Sequence, residues 1–193
     1  MPADMRAKLA RIANLIEKTG LEHVGEPHVK HLEGRLWEMR LKGRDGISRA
    51  LYVAAARSQV VIVRVFVKKT EKTPRREIEL ALAGRRRSND GGALLARISE
   101  MHKKWIKEPE YRKAYEALEG EFALAEAVID ARNRVGLTQA QLARKMGTTQ
   151  PVLARLEGGR ARPSIRTLER LAKATGTRLL IRFEPGQAKQ TKA

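Results

Sequence analysis

The sequence predicts an α+β chain: a small domain of helix, three-stranded antiparallel sheet and helix, followed by an all-α bundle that ends in a short strand. Three observations carry this expectation. Residues 35–68 hold short runs rich in β-branched and apolar residues that alternate with charges, separated by polar turns. On either side of them, apolar residues recur every three or four positions, the period of a helix. Between the strand-like and the long helical stretch lies Ser88-Asn89-Asp90-Gly91-Gly92, a small polar break of linker composition.

Taken in order, residues 2–19 form an amphipathic helix through Met5, Leu9, Ile12 and Ile16, stopped by Gly20. A turn follows around Gly25-Glu26-Pro27. Residues 35–42, 48–55 and 59–68 are the three strands, joined by Arg44-Asp45-Gly46 and Arg57-Ser58, connections short enough for a meander. Thr73-Pro74, a capping residue before a proline at the first helical position, starts a helix through Ile78, Leu80 and Leu82 to about Arg87. Beyond the break, residues 94–106, 110–118 and 122–134 are helical. Residues 178–183 have a strand pattern, and a polar tail starts at Pro185. The expected division is 1–87, a linker over 88–100, two helices over 101–121, a further domain over 122–184, and a disordered tail over 185–193.

Composition narrows the function. The net charge is +18, and it is shared evenly: residues 1–92 carry 20 Lys and Arg against 11 Asp and Glu, as do residues 93–193. Two basic halves predict two surfaces that face polyanions. Aromatic residues make up 4%, too few for a broad base-stacking platform. Without cysteine there are no disulfides, thiolate chemistry or Cys-based zinc sites. The apolar run near Val60–Val67 is broken by Arg64 and far too short for a bilayer, and the N-terminus has no signal-peptide pattern, so a soluble, cytoplasmic protein without a membrane partner is expected. His28 and His31 have ligand-like spacing, but no third ligand is near. Solvated or capping roles are expected for them, and neither a metal nor a cofactor is.

Residues 137–164, LTQAQLARKMGTTQPVLARLEGGRARPS, carry the most specific motif. Residues 139–146 form a first helix with Leu142, Ala143 and Met146 inward. Gly147 sits where a tight turn needs positive φ. Residues 149–157 form a second helix with Leu153 and Leu156 inward, leaving Gln150 and Arg155 outward. The run T-Q-x-x-L-A-x-x-x-G-x-x-Q followed by x-L-E-x-G resembles the Cro/CI-type (XRE) helix-turn-helix repressors over residues 122–175. The resemblance implies a homodimer on operator DNA. Thr149, Gln150, Val152 and Arg155 would face base edges, Gln139 would bind a phosphate, and Arg160 and Arg162 would touch the backbone. Pro151 departs from the polar reader common there, but its place in the first helical turn is sterically allowed.

The first half carries L-W-E-M-R, then R-x-L-Y, then F-x-K-K-T-x-K-T-P, then an acidic helix ending in A-x-x-R. These four ordered blocks, over residues 5–87, resemble the HigB branch of the RelE-like toxins, the phage-derived Gp49-like group. The second half, with P-x-Y-x-x-A-Y at 109–115 before its helix-turn-helix, resembles the HigA antitoxins. The chain therefore reads as a toxin–antitoxin fusion, with intra- or intermolecular contact between the two parts. The resemblance implies a metal-free mRNA interferase, an endoribonuclease acting on mRNA in the ribosome through attack of a 2′-OH on the adjacent phosphate. Arg40, Arg49, Lys68 and Lys69 are the expected catalytic cations, with Arg40 and Arg49 clamping phosphate. Tyr52, Thr73 and Arg76 are weaker RNA-binding candidates, Tyr52 being expected first as a packing residue like Trp37. The strand that opens such toxins ahead of Met5 is missing, which predicts an uncovered sheet edge. The alternative reading is a plain transcriptional regulator whose toxin-like half serves dimerisation or co-repression.

Overall fold

The computed structural model describes residues 1–44, 46–54, 60–67, 73–89, 96–159 and 161–183. Helix α1 (Ala3–Thr19) precedes strands β1 (Val29–Glu33), β2 (Leu36–Gly43), β3 (Gly46–Ala54) and β4 (Val60–Val67), then helix α2 (Arg75–Asn89). Strand β5 (Ala96–Arg97) leads into α3 (Ile98–Trp105), α4 (Pro109–Ala117), α5 (Glu119–Arg134), α6 (Gln139–Lys145), α7 (Gln150–Glu157) and α8 (Ile165–Thr175). The mixed α+β class is as expected, with the sheet in front and helices behind.

All pairings in the sheet are antiparallel, in the order β1-β2-β3-β4-β5. The three-strand expectation is corrected at both ends. Strand β1 is short and polar, Val-Lys-His-Leu-Glu, and only its pairing with β2 makes it a strand. Strand β5 falls within residues 88–100, expected to be a linker. Ser88 and Asn89 instead finish α2, and Ala96–Arg97 pairs with Val61 and Ile62 of β4. Part of the edge of β4 is thereby covered by the segment leading into the rear half. Asp90 to Gly92 and the tail from Pro185 lie outside the described residues. The terminal strand is also corrected: residues 178–183 are in no strand, and Leu180 and Phe183 lie exposed without a partner strand among the described residues.

Helix α1 is the centre of the molecule. Met5, Ala7, Leu9, Ala10, Ile12, Ala13, Leu15 and Ile16 are all buried, more than one helix face can hold. One side of α1 covers the sheet, meeting Met39, Leu41, Ala50, Tyr52 and Val60. The other side meets Ile98, Tyr111, Phe122 and Ile129 of the rear helices, all in one core. Burying each large aliphatic side chain contributes about 1.5–3 kcal/mol, so the two halves are held together chiefly by this helix. Polar contacts fix the register. Arg6 binds the Glu108 carboxylate through both terminal nitrogens, at 2.9 and 2.6 Å, and Lys18 pairs with Glu126 at 2.8 Å. The opposite sheet face packs Leu36 and Leu51 against Ala81 of α2. A separate core of Val128, Leu142, Met146, Leu153, Leu156 and Leu171 holds the last helices. Among the described residues, no helix is long and apolar enough to cross a membrane.

Candidate nucleic-acid interfaces

Alternation along β2 sends Trp37, Met39 and Leu41 toward α1, and Leu36, Glu38 and Arg40 toward the other face. Arg40 and Arg49 are direct cross-strand partners. Like charges so placed repel, and the acid between them resolves the conflict. Glu38 is fully buried, and its Oε2 accepts hydrogen bonds from Arg49 Nη1, at 2.8 Å, and from the Thr73 hydroxyl. Its Oε1 lies 3.5 Å from Arg40 Nε and has no hydrogen-bond partner among the described residues. Arg49 is itself buried and also donates to Thr73, so of the two expected phosphate clamps only Arg40, with a side chain 35% exposed, reaches solvent.

The remaining expectations for this face divide. Thr73 joins the cluster as a bridge between Glu38 and Arg49, and Arg76 is exposed on the first turn of α2. Lys68 and Lys69 lie outside the described residues. Tyr52 packs as first expected, and its weaker RNA-binding candidacy is corrected: it is fully buried in the α1 core, where desolvation pushes its phenol far above the ordinary tyrosine range. An interval of three residues from Arg49 puts it on the opposite face of the strand. Glu38 was not among the expected site residues, although the i,i+2 spacing of Glu38 and Arg40 on a strand already places acid and cation side by side.

The rear half builds its surface from α6 and α7. Thr138 caps α6 in a capping box with Gln141. The turn passes through Gly147 at φ 60, a left-handed conformation that favours glycine. Arg170 of α8 braces this turn, its guanidinium donating to the Gly147 carbonyl at 2.9 Å and also to that of Met146. Leu153 and Leu156 are buried, so Thr149, Gln150, Val152 and Arg155 form an exposed ridge, with Arg162 exposed beyond the helix. Arg160 lies outside the described residues.

Gln139 behaves differently from its expected role. Its side-chain amide donates to Glu157 Oε2 at 2.8 Å and to the Glu26 carbonyl at 3.3 Å. Glu157 is buried and paired with Arg132, which reaches it at 2.6 Å and also donates to the His23 carbonyl at 2.8 Å. His28 Nε2 lies 3.0 Å from the Glu157 carbonyl. The segment around residues 23–28 thus sits against the helix-turn-helix, a contact that single-sequence patterning does not contain.

Residues 1–86 match the family described as phage derived protein Gp49-like (DUF891), and residues 128–181 match the helix-turn-helix family. An uncharacterized HTH-type transcriptional regulator of Haemophilus influenzae is 37% identical over 59 residues, a match that spans 31% of this chain and 60% of that protein.

Proposed function

We propose that this chain, which joins a Gp49-like domain to an XRE-type helix-turn-helix domain, is a toxin and its antitoxin in one polypeptide. The rear half binds operator DNA as a homodimer and represses its own expression. The front half is an endoribonuclease that needs no metal. The observation carrying this reading is the pairing of a solvent-facing cation, Arg40, with a buried carboxylate oxygen that has no hydrogen-bond partner among the described residues, Glu38 Oε1, on the sheet face opposite α1.

In this mechanism Arg40 swings onto the scissile phosphate, uncovering Glu38 Oε1. That oxygen takes the proton of the 2′-OH as the O2′–P bond forms. The P–O5′ bond breaks, and Lys68 or Lys69, the two residues after Val67 in the sequence, protonates the leaving 5′-oxygen. Arg49 and Thr73 hold the Glu38 carboxylate in place through Oε2. The rear helices pack on α1, behind the sheet. Neutralisation therefore works through their bulk, which keeps the site out of the ribosome while leaving the chemistry intact.

The test is incubation of the full chain with a short free RNA and with ribosome-bound mRNA. Slow cleavage of the free RNA to a 2′,3′-cyclic phosphate, with bound message spared, supports the reading. Free RNA left intact favours the second reading, a transcriptional regulator with a toxin-like accessory domain. What favours that reading is the internal pairing of Arg49 with Glu38, which occupies an expected substrate clamp.

A further inference from the structure

We infer that the Arg40 face of the sheet and the DNA-facing rim of the helix-turn-helix form one continuous phosphate-binding ledge joined at Glu26, so that duplex DNA and an RNA strand compete for this chain. The inference rests on the functional reading above and adds a relation between its two sites.

The ledge is defined by four contacts. The Glu26 carboxylate lies 3.7 Å from Arg40 Nη2, while the Glu26 carbonyl accepts the Gln139 amide at 3.3 Å. The backbone N–H of Arg40 donates to the His28 carbonyl at 3.1 Å, and the His28 ring meets the Glu157 carbonyl at the end of α7. Arg40 is thus connected by one residue to the start of α6 and by one residue to the end of α7, the two helices of the DNA-reading motif.

This junction is rigid. Pro27 packs so closely on Gly158 that a Cβ there would come within 2.6 Å of the proline Cγ. Arg132 ties the His23 carbonyl to the buried Glu157. The ledge therefore cannot divide into two independently moving parts without breaking buried hydrogen bonds.

A duplex presents a charge about every 1.7 Å of its axis, so one that engages the start of α6 lays several phosphates near Arg40. An RNA phosphate on Arg40 then faces the duplex backbone at close range, and the two polyanions exclude each other. With neither ligand bound, the exposed Glu26 carboxylate lies against Arg40 Nη2, while the buried Glu38 carboxylate lies against Nε. Glu26 is a placeholder that either nucleic acid must displace.

The experiment uses the full chain, a fluorescent 30-base-pair duplex of arbitrary sequence, and a 2′-O-methyl oligoribonucleotide, which lacks the attacking hydroxyl. Saturating RNA is expected to weaken duplex binding about tenfold or more, and Arg40→Ala to lower the slope of log affinity against log salt by about one. Glu26→Gln, an isosteric change at an exposed position, is expected to tighten duplex binding severalfold. Arg155→Ala is expected to leave RNA affinity unchanged, which separates a shared ledge from RNA simply occupying the reading helix. A ternary complex with unchanged duplex affinity, an unaltered salt slope in Arg40→Ala, or weaker duplex binding by Glu26→Gln overturns the inference. Absence of RNA cleavage by the wild-type chain instead overturns the nuclease reading, and the salt-slope and Glu26→Gln arms still report on the ledge.

Discussion

The guanidinium of Arg11 lies 3.8 Å from the ring centroid of Tyr115 and donates to the carbonyl of the same residue at 2.8 and 3.1 Å. One residue belongs to the first helix of the chain and the other to the fourth, so this stacked pair joins front to rear. Arg11→Met keeps the aliphatic stem and removes both interactions. A loss of about 1–2 kcal/mol is expected, within a single urea transition because the core is shared. Two separated transitions would contradict that core.

His102 stands in the same junction, its Nδ1 2.7 Å from the Tyr111 hydroxyl. Burial, and secondarily the nearby Arg11 charge, hold its pKa below the ordinary histidine value of 6.5. The neutral form is therefore favoured in the folded chain. Its stabilising contribution is complete above pH 6.5 and is lost as pH falls from there through the lower folded-state value. Melting temperature should drop on acidification below pH 6.5, and the drop should be smaller in His102→Gln. An identical pH profile for the two proteins would exclude His102 as its source.

Arg132 and Glu157 form a buried pair that also anchors Gln139 and the His23 carbonyl. Removing one partner leaves a buried charge uncompensated. Arg132→Ala is expected to cost about 3–5 kcal/mol and to abolish duplex binding at temperatures where the wild type is folded. Chemical denaturation checks the first part and anisotropy the second.

The exposed ridge of α7 predicts a split between specificity and affinity. Gln150→Ala and Arg155→Ala should each lose about 1–3 kcal/mol at particular base pairs of the selected operator. Arg162→Ala should weaken all sequences alike and reduce the salt slope by about one. Binding to operator and scrambled duplexes, measured side by side, separates the two patterns. Uniform losses in all three variants would exclude base reading by this ridge.

Glu38→Gln keeps the shape of the side chain and its capacity to accept from Arg49, while removing the proton acceptor. Cleavage of free RNA should fall about 10²–10⁴-fold. Glu38→Ala should also destabilise the fold, since Arg49 would lose its buried partner. Undiminished cleavage by Glu38→Gln would assign the proton transfer elsewhere.

How much the sequence revealed depended on the range of the interactions concerned. Helix α1, strands β2 to β4 and the helices of the DNA-reading motif were legible because their periodicity and caps are local. Strands β1 and β5 were not: Val29–Glu33 and Ala96–Arg97 become strands only by pairing with β2 and β4. Residues 178–183 had the composition of a strand but meet no partner strand among the described residues. At the site, strand parity alone separates Tyr52 from Arg49 and unites Glu38 with Arg40. The capture of Gln139 by Glu26 and Glu157 was illegible, because it joins residues more than a hundred positions apart as well as near ones.

The double-sided burial of α1 limits how this polypeptide can be taken apart. A protease that removed the rear helices would leave the flank of α1 that now meets Ile98, Tyr111, Phe122 and Ile129 facing water. The surviving fragment would unravel or aggregate rather than persist as a folded domain. The two halves therefore turn over as one body.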